Sequence, residues 1–435
     1  MKILDELIKR NAGRLEPILL NGYRSLFFSD ISGAITSQEN AAKDIRAGEV
    51  VAIIGDFDGP TISAMLRLLD QNVIVMPLTD GTQADHEYFF EAGYADWVMK
   101  GGVFTRRPRF SSTRSPLLDE LQRLQRSGII FFSSGTTGRP KAILHDFYKF
   151  IAKYHVPRPP LRALIFLLFD HAGGINTLLH ILFNGGVAVV PSDRTPTSVG
   201  NDLQKHAIEL LPATPTFLRM MMLEGIFETM NFPALRTITY GTERMDQSTL
   251  DRLCSRLPLV DFRQTYGLSE LGVFQVKSKS RDSLWMRIGG QGVETRVEDN
   301  VLYIRSENAM VGYLNSASPF VDGWYETGDI VETEGDFIQV IGRAKEILNI
   351  GGLKILPTEI ERVALLHPDV LRAKASGVNN PISGQYIEII CQPRPSATLN
   401  KQALTTHFKM HLQKQLCPHR IIIGEVAISH RFKQK

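Results

Sequence analysis

The sequence predicts an α/β fold: a large N-terminal domain of parallel-rich sheets with helices, a β-rich subdomain, and a small α+β tail. Three observations predict it. Short apolar runs alternate with helix-periodic stretches through the first two thirds of the chain, the pattern of βαβ units. After about residue 285 the texture changes to short alternating strands separated by turns. From Ala344 onward a helix-like segment and a strand-like segment are mixed once more.

Taken in order, Glu49-Val50-Val51-Ala52-Ile53-Ile54, the periodic stretch 61–70 and Val73 to Leu78 read as strand, helix and strand. The apolar run Gly128 to Phe132 is a buried strand that opens into a loop. Strand-like 163–169 leads to helix-like 175–184 and then to Val187-Ala188-Val189-Val190. The strand Leu235 to Tyr240, helix-like 247–256 and the strand Leu259 to Arg263 repeat the alternation. Val301 to Arg305 and Phe337 to Ile341 are strands of the β-rich part; helix-like 357–366 and strand-like 386–391 belong to the tail. In open sheets of this kind ligands gather at the carboxyl ends of strands.

With 435 residues, 43% hydrophobic and 22% charged, the chain has globular composition and length for more than one domain. A formal charge of +3 argues for no particular polyanion. The basic stretch Arg106-Arg107-Pro108-Arg109 with Arg114 lacks the aromatic spacing of a nucleic-acid site. Cys254, Cys391 and Cys417 are odd in number and widely spaced, so they form neither a disulfide framework nor a zinc site. The N-terminal residues are amphipathic and interrupted by charge, and no apolar run reaches about 18 residues, so neither a signal peptide nor a membrane span is expected. A cytoplasmic protein is the expectation.

The most informative stretch is Ser133-Ser134-Gly135-Thr136-Thr137-Gly138-Arg139-Pro140-Lys141, directly after the strand ending at Phe132. Glycines let the backbone come close and turn N–H groups towards an anion, hydroxyls donate further bonds, and lysine adds a mobile charge. Such a loop suits phosphate. Its spacing is not that of a P-loop, which needs Gly-Lys-Ser/Thr. Further along, Gln264-Thr265-Tyr266-Gly267-Leu268-Ser269-Glu270 offers an aromatic face, a hydroxyl for a phosphate oxygen and a carboxylate for a hard cation such as Mg²⁺. In Trp324 to Ile330, Asp329 is a carboxylate that can accept from two vicinal hydroxyls, and Arg343 can brace the same sugar or a phosphate. Each motif alone also fits a solvated turn or a packed strand end.

Together, in order and on strand ends, these motifs resemble those of the adenylate-forming enzymes: acyl-CoA and aryl-CoA synthetases, luciferases and peptide-synthetase adenylation domains. The resemblance implies that Ser133 to Gly138 and Lys141 hold phosphate. It implies that Tyr240-Gly241-Thr242-Glu243 lies along adenine, that Thr265, Tyr266 and Gly267 frame the base, and that Ser269 contacts phosphate while Glu270 binds Mg²⁺. Asp329 and Arg343 would hold ribose. His171, in Phe169-Asp170-His171-Ala172-Gly173-Gly174, aligns with the acyl-pocket histidine of CoA ligases, and Thr214, Gly241 and Gly267 would line the same pocket. Phe169-Asp170 leaves open an amino-acid substrate, whose ammonium an Asp would hold. The segment from Gly342 to Glu361 resembles the start of a swinging C-terminal domain, which sets the expected division: a large domain 1–342, a hinge 343–346 about Lys345, and a mobile small domain 347–435. Gly351 and Gly352 would face the thiol-transfer side.

The family's adenylation lysine falls on Lys435, with Lys433 the other candidate, in a terminus without the usual Pro and Gly. The implied activity is ATP-dependent activation of a carboxylic acid, fatty or aryl, to an acyl-adenylate with release of pyrophosphate, then transfer to a thiol. That thiol is CoA, or the phosphopantetheine of an acyl carrier protein. His171, Gly241 and their apolar neighbours favour an uncharged acyl or aryl group. The degenerate terminus also admits a nucleotide-binding regulatory protein without catalysis.

Overall fold

The computed structural model describes residues 3–22, 24–37, 42–108, 114–133, 139–350, 353–380, 384–395 and 397–428. Two seven-stranded sheets form the body. One runs, in spatial order, Asp261–Gln264, Thr237–Tyr240, Leu210–Ala213, Arg162–Leu164, Val187–Val190, Leu19–Asn21 and Arg24–Leu26. All its pairings are parallel except that of the last strand. The other runs Gly312–Tyr313, Ala142–Asp146, Gly128–Phe132, Ile74–Leu78, Val50–Ile54, Trp97–Lys100 and Val103–Arg106. Its centre is parallel and its flanks are antiparallel.

A strand buried on both faces reads as an unbroken apolar run, and Val50–Ile54, Gly128–Phe132 and Val187–Val190 are buried at every position. The helices Gly59–Asp70 and Ala172–Asn184 share one apolar cluster with residues of both sheets, among them Val51, Ile129, Ala163 and Ala188. Their starts are locally encoded. Asp58 accepts from the Thr61 amide with Pro60 in the first turn, and His171 Nδ1 accepts from the Gly173 amide. In its first turn the second helix has two glycines after Ala172: a Cβ on Gly173 would lie 2.6 Å from Leu167 Cδ1, and one on Gly174 2.2 Å from the Leu168 carbonyl oxygen. It ends at Gly185, whose φ of +69° is the left-handed cap glycine accepts readily.

One expectation was off in detail. The strand expected over 163–169 stops at Leu164, and Ile165, Phe166 and Phe169 continue as irregular chain that is nonetheless fully buried. Hydrophobicity there reported burial, not extension. The strand before the glycine-rich stretch pairs antiparallel with Ala142–Asp146, which sets Phe132 beside Ala142.

The β-rich part is an antiparallel sheet in the order Gln275–Ser278, Met286–Gly289, Phe337–Arg343, Trp324–Glu334, Val301–Ser306 and Val293–Glu298, with Phe320–Val321 beside Trp324–Glu334. From Leu348 the chain gathers a core of its own. Helices Pro357–Leu365 and Lys401–His411 pack on the strands Val370–Asn380, Gly384–Pro393 and Arg420–Ile423 around Ile360, Ile389 and Phe408. Arg244 reaches from the body to the carbonyls of Ile341 at 2.9 Å and Thr358 at 3.3 Å.

His145, on the strand Ala142–Asp146, ties the second sheet to the loop that follows Asp261–Gln264. Its Nε2 lies 2.6 Å from the Ser269 carbonyl, between the rings of Phe131 and Phe150. Complete burial pushes its pKa down to about 4. A base depressed on folding contributes stability that is full above its unfolded value, near 6.5, and is lost as pH falls towards 4. Urea unfolding of the wild type should therefore lose about 2 kcal/mol between pH 7 and pH 5 through this residue. His145→Gln should lose correspondingly less over that interval; equal losses would show that His145 is not buried as neutral imidazole.

Candidate functional site

The sheet order sets the site. Leu210–Ala213, Thr237–Tyr240 and Asp261–Gln264 are adjacent and parallel, with Ala213 beside Tyr240 and Tyr240 beside Gln264. Their carboxyl ends therefore deliver Thr214, Gly241 and Thr265 side by side. Thr214 caps the helix Pro215–Leu223 by accepting from the Phe217 amide, and Glu243 accepts from the Thr216 amide at 3.1 Å. Gly241 is glycine for a steric reason: a Cβ there would stand 2.1 Å from Thr265 Oγ1 and 2.7 Å from its carbonyl oxygen. Thr265 itself bonds the Tyr240 carbonyl through both its amide and its hydroxyl. The space beside Gly241 is thus taken by the neighbouring strand end, a reason the sequence motif did not show. Thr242, just after, has φ of +67°. Gly267 is similar, since its Cβ would meet the Gly272 carbonyl at 2.6 Å.

From Thr265 the chain passes through Tyr266 to Glu270, and this loop collects the charged groups. Tyr266 is buried, stacked beside Phe274, and its hydroxyl donates to Asp329 Oδ2 at 2.5 Å. Asp329 Oδ1 meets Arg343 Nε at 2.6 Å, the two residues being register partners in the antiparallel sheet. The Asp329 amide donates to Thr327 Oγ1, which in turn donates to the Leu302 carbonyl, so the turn before Asp329 is fixed from both sides. Burial raises the pKa of Asp329, and Arg343 and the Tyr266 hydroxyl oppose that rise. Burial and the Asp329 carboxylate hold the Tyr266 hydroxyl well above its usual range, so it stays a donor.

At the other end of the loop, Glu270 is buried and Oε1 accepts from the Tyr313 hydroxyl at 2.8 Å. Lys141 Nζ stands 4.4 Å from the centre of the same tyrosine ring. Burial, and then the charge of Glu270, raise the pKa of Tyr313 and of Tyr325. Two neutral hydroxyl groups therefore face a carboxylate that keeps acceptor capacity, and the exposed Lys141 ammonium stands over the ring of one of them. The hairpin that carries Lys141 is closed by the Ser133–Lys141 pair: the Ser133 amide donates to the Lys141 carbonyl and the Lys141 amide to Ser133 Oγ. Its return arm is clamped by Asn315, which bonds the Ala142 amide and the Pro140 carbonyl, and by the Tyr88 hydroxyl on that carbonyl.

Lys141, Tyr266, Glu270, Asp329 and Arg343 are thus joined through one loop and two tyrosines, although they lie on four separate segments of sequence. Ser269 presents its carbonyl to His145. His171 begins the helix Ala172–Asn184 and is half-buried. Lys345 is exposed on the single turn Ala344–Glu346 between Arg343 and the tail. Ser134, Gly135, Thr136, Thr137, Gly138, Gly351, Gly352, Lys433 and Lys435 lie outside the described residues. Sequence reasoning missed Tyr313, Tyr325, Asn315, His145 and Arg244. Only Gly312-Tyr313-Leu314-Asn315, an aromatic and an amide after a glycine, offered any signal.

Residues 41–314 match the AMP-binding enzyme family, and the chain belongs to that family. Among curated relatives it is 25% identical over 347 residues to the fatty acid–[acyl-carrier-protein] ligase MmaC of Mycobacterium marinum, covering 68% of this chain and 64% of that one. It is 28% identical over 330 residues to the 2-succinylbenzoate–CoA ligase of Bacillus velezensis, covering 66% of each. The chain therefore spans a little under two thirds of the length of these relatives. In fold it is similar to the anthranilate CoA ligase AuaEII, solved with anthranoyl-AMP, at a TM-score of 0.83 and 18% identity over all of this chain and 95% of that one.

Gly241→Ala tests the packing of the strand ends. Forcing a methyl against Thr265 should cost about 1–3 kcal/mol, read as a lower urea midpoint at unchanged slope. Adding Thr265→Ala should recover only part of the loss, because the backbone carbonyl remains in the way; full recovery would mean that the backbone yields.

Proposed function

We propose that the protein activates a carboxylic acid with ATP, forming an acyl-adenylate and releasing pyrophosphate, and then transfers the acyl group to a thiol. The observation that carries this reading is the convergence of Lys141, Glu270, Asp329 and Arg343 around one loop. A carboxylate resists displacement because its oxygen is a poor leaving group, and a mixed anhydride with AMP removes that obstacle. Catalysis then consists mainly of holding two anions in line and screening their charge.

Each residue fits a part of that task. Asp329 spends one lone pair on Tyr266 and one on Arg343, which leaves acceptor capacity for the two hydroxyls of ribose. Lys141 and the hydroxyls and amides of Ser133 to Gly138 suit the triphosphate. Tyr266 has its ring among the core and its hydroxyl on Asp329, so its contribution is to set the ribose carboxylate as much as to meet the base. Gly241, Thr242 and Glu243, beside Thr265 and Gly267, would form the adenine wall, with Ser269 on phosphate. His171 and Thr214 would flank the acid.

Among the described residues no group of three or more histidine, cysteine or acidic side chains could hold a metal by itself. Glu270, a buried carboxylate touched by neutral donors, fits Mg²⁺ shared with phosphate oxygens, which is how this ion is commonly held. When bound, the ion would supply charge screening between the phosphates. Residues 1–342 would act as the adenylation domain, 343–346 with Lys345 as the hinge, and 347–435 as the small domain bringing Lys435, or Lys433, to the reacting phosphate and Gly351 and Gly352 to the thiol. The acceptor is CoA or carrier-bound phosphopantetheine; the names of the relatives above include both. No helix among the described residues is long and apolar enough to cross a membrane, and a cytoplasmic site of action fits the reading.

ATP–pyrophosphate exchange across a panel of acids tests the proposal. At least one acid should support exchange, and Lys141→Ala and Glu270→Gln should each lower its rate by about 10²–10³-fold. Bound ATP with no exchange for any acid would instead indicate a nucleotide-binding protein without this catalysis.

A further inference from the structure

Beside the strand ends lies a cavity of about 220 Å³ lined by Lys153, Asn176, His180, Thr239, Thr265 and Val273, among others. Its position follows from elements already placed. Thr239 immediately precedes Tyr240-Gly241, Thr265 is the residue packed against Gly241, and Asn176 and His180 are successive turns of the helix that His171 begins. The cavity therefore abuts the segments assigned to the acid.

Its charge is one-sided. Lys153 is half-buried, with Nζ 2.5 Å from Asn176 Oδ1 and 3.3 Å from the Val273 carbonyl, and with the rings of Phe150 and Tyr154 against it. An ammonium has three donors, and these partners use two. Among the described residues Lys153 has no carboxylate partner, and no Asp or Glu lines the cavity. Arg158 and Arg263 stand on its wall, Arg263 being paired outward with Asp261. Burial and Arg158 lower the pKa of Lys153 to about 7, and burial with the same cations lowers that of His180 to about 4. The two acceptors and two rings offset part of this cost, but among the described residues no carboxylate does, and a partly desolvated cation gains from an anion beside it.

We propose that this cavity receives a second acidic group of the substrate, so that the activated acid is a compact dicarboxylic or otherwise doubly anionic acid. Lys153 is its recognition residue, donating to the distal anion. This deepens the adenylating reading, on which it rests, and it departs from the uncharged acyl group that the sequence alone favoured. The volume, below the roughly 300–1,000 Å³ of drug-sized sites, points the same way, towards a short or single-ring acid.

The test pairs acids of equal length: succinate through suberate against butyrate through octanoate, and phthalate and terephthalate against benzoate. In ATP–pyrophosphate exchange the wild type should show a lower KM for at least one diacid than for its monoacid partner. Lys153→Met should shrink that ratio by roughly ten- to a hundredfold. Asn176→Asp, which is isosteric and supplies Lys153 with an internal anion, should do the same without opening a void. Binding of the diacids alone, followed by calorimetry on the same three proteins, separates this inference from the reading beneath it. If no acid supports exchange yet a diacid binds the wild type and not Asn176→Asp, adenylation is wrong and the anion site stands. Equal KM values for diacid and monoacid, or a ratio and affinity indifferent to both substitutions, would overturn the anion site.

Discussion

The structure depends on one buried carboxylate. Asp329 sits in the antiparallel sheet, yet one of its oxygens is held by Tyr266, from the loop that leaves the parallel sheet, and the other by Arg343, the last residue before the tail. An isolated carboxylate at that depth would cost several kcal/mol. Two partners from two directions make the site tolerable, and they also fix the loop, the sheet and the start of the tail relative to one another. The elevated pKa of Asp329 shows that burial still outweighs its partners. A further hydroxyl ligand would relieve that imbalance, which is why a carboxylate so placed suits a diol.

The same loop explains why so little polar surface suffices. Five residues, Tyr266 to Glu270, hold Asp329 at one end and Tyr313 at the other, with His145 gripping the carbonyl between. Each grip is a buried or part-buried hydrogen bond with a specific geometry, so the loop has little freedom to move its carboxylate away from Tyr313. Preorganisation of this kind is what a reaction between two anions requires, because reorienting donors during the reaction would forfeit most of their benefit.

Much of this was legible in the sequence, and the physical reasons separate what was from what was not. The fold class was readable because doubly buried strands such as Val50–Ile54 and Val187–Val190 leave unbroken apolar runs between helical periods. Lys141, Glu270, Asp329 and Arg343 were singled out because their motifs, in order, resemble those of one enzyme family; the structure gathers them around one loop through Tyr266 and Tyr313. The packing at Gly241 was not readable, since its missing side chain makes room for Thr265, a contact between strand ends that no local pattern encodes. Tyr313, His145 and Lys153 were invisible for a related reason: an aromatic, a histidine or a lysine inside an ordinary helix or strand acquires its role only from what long-range folding sets beside it. The first two support the loop from the adjoining sheet, and the third gives the neighbouring cavity its charge.

The central claim is that Asp329 and its partners receive the ribose of a nucleotide. The most direct measurement is calorimetric binding of ATP, 2′-deoxy-ATP and 3′-deoxy-ATP to the wild type and to Asp329→Asn. Loss of either hydroxyl should weaken binding to the wild type by about tenfold, the worth of a hydrogen bond to a charged group, and should matter much less once the carboxylate is gone. If removing a ribose hydroxyl costs the same in both proteins, Asp329 does not hold the sugar and the site has been read wrongly.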